Sequence, residues 1–177
     1  MGVSMLKYEV IGVFDGDTFV AKRRGKIETI RLNWIDAPEV KHSGQTPKNI
    51  IEERQWYWGD RSKIEVEKFI DNSAEPGHIW ISPYEVDKYG RILADVFSDY
   101  RYLNKYNLQR ILLRKGLAVD FFPRMERVVS ADYERTALFT SMLRSLHQAK
   151  MQQMGFWSDP NFVRPFDYRQ SLLVTSP

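Results

Sequence analysis

Apolar and polar positions alternate through most of the first 35 residues. LKYEVIGVF (6–14) and TFVAKRR (18–24) read as two strands around a turn built on Asp15, Gly16 and Asp17. Gly25 permits a tight return into KIETIRLNWI (26–35). Successive strand side chains point to opposite faces, so Ile27, Thr29, Arg31 and Asn33 share one side and Ile30, Leu32 and Trp34 largely the other. Residues 40–48 hold Gly44 and Pro47 and read as loop. From about Ile50 to Ile70 the pattern turns helical, with Ile64, Phe69, Ile70 and either Trp56 or Tyr57 on the apolar side and Gly59 weakening its continuity. HIWISPYEV (78–86) and RILADVF (91–97) form a hairpin around DKYG, with Gly90 in the turn. Residues 102–115 predict a short helix closed by Gly116. A longer one follows from Ser130 as cap to about Gln153, with Leu138, Met142, Leu146 and Met151 on its apolar face. The tail beyond Gly155, FWSDPNFVRPFDY, is rich in aromatics and proline and is expected to pack across the body.

Five strands and three helices in the order β-β-β-α-β-β-α-α predict a small closed barrel decorated by helices. That order suits the five-stranded oligonucleotide-binding barrel. Fold alone does not fix function.

Composition narrows the chemistry. The chain has 177 residues, enough to bury a core without staples, and its 14% aromatic content argues against wholesale disorder. The absence of cysteine removes disulfides, thiolate catalysis and cysteine-based zinc sites. Three scattered histidines, His42, His78 and His147, argue against a histidine-rich metal centre. The net charge of +3 is unevenly spread: residues 1–100 carry 14 Lys and Arg against 17 Asp and Glu, residues 101–177 carry 12 against 6. The basic C-terminal half either faces a polyanion or is a solvated surface. No window reads as a signal peptide or membrane helix, which leaves the compartment open between cytoplasmic and exported with a signal removed. Nothing in the pattern points to an obligate protein partner.

The stretch IRLNWIDAPEV (30–40) departs from what a strand end needs. It places Arg31, Asp36 and Glu39 in quick succession, with Pro38 restricting Ala37 to extended angles so that the chain leaves the strand in a fixed direction. If the turn carrying Asp17 meets this strand end, carboxylates gather that repel one another and lose hydration unless a cation joins them. An oxygen-only cluster suits a hard cation, Ca²⁺ or Mg²⁺. Arg31 and Arg91 add bidentate donors for the non-bridging oxygens of a phosphodiester. The plainer alternative keeps Asp15 and Asp17 as turn residues, Asp36 as a backbone-capping acid and both arginines on ordinary strand surfaces.

Taken together, DGDT (15–18), IRLNWIDAPE (30–39), DKYGRILA (87–94) and GLA (116–118) resemble the staphylococcal nuclease, or thermonuclease, family. Four separated motifs occur in family order, and the resemblance runs over about residues 6–158. It implies a five-stranded oligonucleotide-binding barrel with three helices over residues 1–158, with 159–177 a tail packed on or extending from it. It also implies Ca²⁺-dependent cleavage of DNA or RNA that leaves 3′-phosphate and 5′-hydroxyl ends. Matched motif by motif, Asp17 and Asp36 resemble the calcium-binding aspartates and the Ala37 carbonyl a further ligand. Glu39 resembles the general base or water-positioning glutamate, and Arg31 and Arg91 resemble the phosphate-binding arginines. Lys88 and Tyr89 match residues beside the nucleotide phosphate, while Asp15 is read as structural or as supporting the metal ligands from behind.

Two departures stand out. Phe122 and Arg124 occupy the places of two family tyrosines, one of which lies against the base; phenylalanine still stacks but lacks the phenolic donor. Trp56, Tyr57 and Trp58 replace small helix residues and serve as core, as a wall of the cleft or as a partner surface. Two further readings remain beside the nuclease: a barrel that grips single-stranded nucleic acid without cutting it, and a protein-interaction barrel.

Overall fold

The computed structural model describes residues 4–122 and 133–174. Strands β1 (Leu6–Val13), β2 (Thr18–Arg23) and β3 (Lys26–Leu32) form the expected antiparallel meander. A two-residue strand β4 (Ile35–Asp36) leads into the loop before α1 (Ile50–Asp71), and β5 (His78–Val86) and β6 (Ile92–Phe97) make the second hairpin. The barrel closes in the order β1-β2-β3-β6-β5, with β5 returning to β1 and only β3–β6 parallel. A 3₁₀ turn (Asn104–Tyr106) and α2 (Leu108–Arg114) then precede β7 (Val119–Asp120), which pairs with β4. The order ends with α3 (Tyr133–Met151), a 3₁₀ turn (Gly155–Ser158) and α4 (Pro165–Val174). The described residues therefore hold four α-helices rather than three, and the tail expected to pack across the body carries one of them.

The core forms where alternation put it. Phe19, Ile30, Leu32, Ile79, Ile81, Val96 and Phe97 fill the barrel, and Leu108, Leu112, Leu138 and Met142 close it from the helices. Each such side chain contributes about 1.5–3 kcal/mol through its removal from water. Two expectations fail on burial: Ile64 and Met151 sit in solvent, because α1 turns Gln55, Ser62 and Val66 inward and α3 ends its buried stripe at Ala149. The predicted cap Ser130 lies outside the described residues. The predicted helix over 102–115 is split, because Asn107 caps α2 by accepting from the Arg110 amide at 2.8 Å while its amide nitrogen donates to the Val96 carbonyl.

The three aromatic residues of α1 divide their duties. Trp56 is buried. Trp58 packs edge-on to Phe156 and donates its indole N–H to Asp159 at 2.7 Å. Tyr57 is partly exposed between the guanidinium groups of Arg54 and Arg61. Gly59 does not interrupt α1, and its lack of a side chain has a tertiary cause. A Cβ there would lie 2.0 Å from the Glu39 carbonyl oxygen and 2.9 Å from that of Pro38. The helix thus presses directly on the backbone of the loop that follows β4. Gly16 makes a similar close approach to Ser62 of α1 and to Ala37, so the β1–β2 turn and the β4 end are packed together against one helix.

Candidate active site

Three pieces of chain converge at one end of the barrel. The β2–β3 register sets Arg31 opposite Thr18, next to Asp17, and the parallel β3–β6 pairing sets Ile92, and so the preceding Arg91, beside Ile30. The β1–β2 turn is fixed by Asp15, whose carboxylate accepts from the Asp17 and Thr18 amides at 2.8 and 2.7 Å. These two bonds close the turn. Asp17 is then free to reach across: one oxygen accepts from the Ala37 amide at 2.7 Å, the other from the Thr18 hydroxyl at 2.8 Å. The DKYG turn closes with the Asp87 amide donating to the Arg91 carbonyl and the Gly90 amide to the Asp87 carbonyl.

The result is a cleft of about 810 Å³ whose walls include Asp17, Arg31, Asp36, Ala37, Glu39, Lys88, Tyr89 and Arg91. The fold thus brings together eight of the ten residues singled out by sequence. Phe122 is not among them: half-buried, it packs against the core with its ring 4.9 Å from Phe139 and 6.4 Å from Trp34. The ring that faces the cleft from this segment is its neighbour Phe121. Arg124 lies outside the described residues.

Charge is tightly matched in the cleft. Arg31 is ion-paired to Asp17 and places a second nitrogen 3.2 Å from Asp36. Asp36 spends its other oxygen on Arg169 of α4 at 2.7 Å, and Arg169 also donates to Glu39 at 2.7 Å. Arg91 is held by Asp87, with its Nε 2.8 Å from the carboxylate. Burial drives Asp17 upward, but the Arg31 charge and the Ala37 amide outweigh it and hold the group below the ordinary carboxylate range. Asp36 goes the other way: burial and the nearby Asp17 charge prevail over the arginines and raise it. Asp15 is pushed up to about 7 by burial and by the negative charge of Asp17. In Arg31, burial opposes the charged form and the surrounding aspartates overcome it, so the guanidinium stays protonated.

The donors around Arg31 are carboxylate oxygens, the kind a hard cation takes. Among the described residues no three acidic or histidine side chains gather as a metal cluster; Asp17 and Asp36 are the acidic groups at the place the resemblance points to. Both already engage guanidinium groups, and a cation at Asp36 would take the oxygen that Arg169 now holds. In kind the donor set fits Ca²⁺, with backbone carbonyl and water making up the remainder.

Sequence reasoning missed Arg169, Phe166 and Gln170, which line the cleft from α4. One local signal was present: Pro165 at the first helical position, where its missing N–H costs nothing.

Comparison with known proteins yields a consistent picture. The family profile described as Staphylococcal nuclease homologue matches residues 29–159. Micrococcal nuclease of Shigella flexneri is 26% identical over 169 residues, covering 92% of this chain and 80% of that protein. The SPbeta prophage-derived endonuclease YokF of Bacillus subtilis is 30% identical over 149 residues, which are 84% of this chain and 43% of that protein. A probable endonuclease, LCL3, of Vanderwaltozyma polyspora is 27% identical over 143 residues, or 81% of this chain and 45% of its own. The chain thus spans less than half the length of the latter two. No helix among the described residues is long and apolar enough to cross a membrane.

Proposed function

The chain belongs to the staphylococcal nuclease family, and from that premise we propose that it is a calcium-dependent nuclease hydrolysing phosphodiester bonds of DNA or RNA with little sequence preference, leaving 3′-phosphate and 5′-hydroxyl ends. The observation that carries the reading is the meeting of Asp17, Arg31, Asp36, Glu39 and Arg91 around one cleft of a family member. A barrel that only bound nucleic acid would not need Glu39 and two aspartates in the same cleft as both arginines.

Asp17 and Asp36 would hold the ion, with the Ala37 carbonyl completing the protein ligands. Ca²⁺ bound there supplies positive charge against the phosphate oxygens as negative charge builds on them. Arg31 and Arg91 bind the non-bridging oxygens through their paired N–H groups, in place of the aspartates that occupy those forks in the free protein. Glu39 accepts the proton of the attacking water or orients it. The water oxygen forms its bond to phosphorus in line with the departing 5′-oxygen, whose bond breaks and which takes a proton from solvent to leave as the hydroxyl. Lys88 and Tyr89, on the exposed hairpin turn, attend the neighbouring phosphate.

The test is cleavage of 5′-labelled single-stranded DNA and RNA with about 10 mM Ca²⁺, chosen to saturate a weak hard-cation site, or with excess EGTA. Calcium-dependent cutting with 3′-phosphate products is expected; an intact substrate under Ca²⁺, Mg²⁺ and Mn²⁺ alike, from a folded protein, points to the non-catalytic binding barrel. Arg31→Lys provides a sharper probe. An ammonium keeps the charge but cannot span two oxygens in a plane, so turnover should fall by roughly 10²-fold. Equal steady-state rates for Arg31→Lys and the parent would remove the bidentate contact from the mechanism.

A further inference from the structure

The helix α4 lies beyond the residues that match the family and yet forms one wall of the cleft. Its placement is fixed from several directions. Tyr168 donates its hydroxyl to the buried Glu52 at 3.0 Å, Gln55 donates to the Val163 carbonyl and Arg164 to the Asp120 carbonyl. Arg169 adds the paired contacts to Asp36 and Glu39. On a helix, residues three and four apart share a face, so Phe166, Arg169 and Gln170 look into the cleft together while Tyr168 turns to α1.

A segment so firmly held has no packing reason to leave a large ring uncovered. Phe166 nevertheless keeps 46% of its surface exposed, with the ring of Phe121 beside it at 6.2 Å between centroids and tilted by 38°. Both rings line the same cleft as the phosphate-binding arginines. The exposed Tyr89, with Lys88 and Arg91 over its ring, lines the same cleft. Guanidinium groups and an uncovered aromatic ring in one cleft are the combination that takes a sugar-phosphate chain with its bases unstacked.

We propose that Phe166 and Phe121 form a nucleobase platform, supplied in part by α4, that stacks a base next to the phosphate held at Arg31 and so favours single-stranded over duplex substrate. The inference rests on the reading of the cleft as a nucleic-acid site. It moves the base contact from Phe122, which packs on Phe139 and the core, to its neighbour and to a residue of α4. Every base offers a stacking face, so the platform is tolerant of sequence and selects for unpaired strand.

The test is fluorescence anisotropy in excess EGTA, with strand integrity checked on a gel. The probes are a labelled ten-nucleotide oligothymidylate and a strand of equal length and charge built from abasic units. Phe166→Ala should weaken binding of the base-bearing strand by roughly 5- to 100-fold, the range that stacking on one aromatic ring spans. The abasic strand should be unaffected, Phe166→Trp should restore affinity, and melting temperatures should match the parent. Phe121→Leu should act in the same direction. Equal affinity of Phe166→Ala and parent, or an equal loss on both strands, overturns the platform. Cleavage by the parent, scored separately with Ca²⁺, keeps the two ideas apart. Cutting without base discrimination sinks the platform alone, and base discrimination without cutting sinks the nuclease mechanism alone.

Discussion

Glu39→Gln lowers kcat by roughly 10²- to 10⁴-fold, the usual worth of a positioned general base, and leaves the fold in place. The glutamine is isosteric and still offers Arg169 an oxygen, but it has no basic lone pair of carboxylate strength with which to take a proton from water. Stability should barely change, since the Glu39–Arg169 contact is substantially exposed on both sides, and such pairs contribute on the order of 0–1 kcal/mol. The measurement is kcat and KM on single-stranded DNA at saturating Ca²⁺, beside a urea melt of each protein. A fall in kcat at near-constant KM and unchanged melt is the expected outcome. Parent-like turnover would deny Glu39 both roles, as base and as water-orienting group, and would leave the chemistry to a group outside those named.

Gly59→Ala sets two magnitudes against each other. Helix propensity alone favours alanine over glycine in a helix interior by up to about 1 kcal/mol. Against that stands a methyl group 2.0 Å from one carbonyl oxygen and 2.9 Å from another, both of them backbone and neither able to rotate away. Overpacking of this kind costs about 1–3 kcal/mol and sometimes more, so the substitution should destabilise the protein on balance. It should also cost activity, because the backbone that must retreat is the one that carries Glu39. A urea titration reads the first effect and the cleavage assay the second. An alanine variant more stable than the parent and equally active would mean that α1 and the loop after β4 are not in contact as described.

These two positions also show what the sequence discloses and what it withholds. Alternation revealed the five barrel strands and their core faces, because a period of two is stamped on every half-buried strand. It also left Arg31 undecided, since a guanidinium facing carboxylates looks in sequence like one facing water. Gly59 read as a weakness in a helix, whereas it records a close approach between elements 20 residues apart in the chain, which no local pattern encodes. Phe122 was placed by spacing from GLA, and one residue is enough to send a side chain to the opposite face at a strand end. The helix α4 escaped notice because it lacks an apolar stripe: Phe166, Leu172 and Leu173 are exposed and Pro165 and Tyr168 are buried. Polar contacts to distant parts of the chain hold it, and those leave no periodic trace. The acid and arginine set was legible because spacing within motifs survives where packing does not.

The attachments of the tail bear on where such a protein can be divided. Asp159, at the last residue shared with the family profile, takes Arg54 and Trp58 of α1, and six residues further on begins the helix whose Tyr168 and Arg169 reach Glu52, Asp36 and Glu39. A cut after Asp159 would keep its contacts to Arg54 and Trp58 but remove those of Tyr168 and Arg169. A chain so shortened would lose the guanidinium that faces Asp36 and Glu39, and its cleft would present a more negative wall to any polyanion.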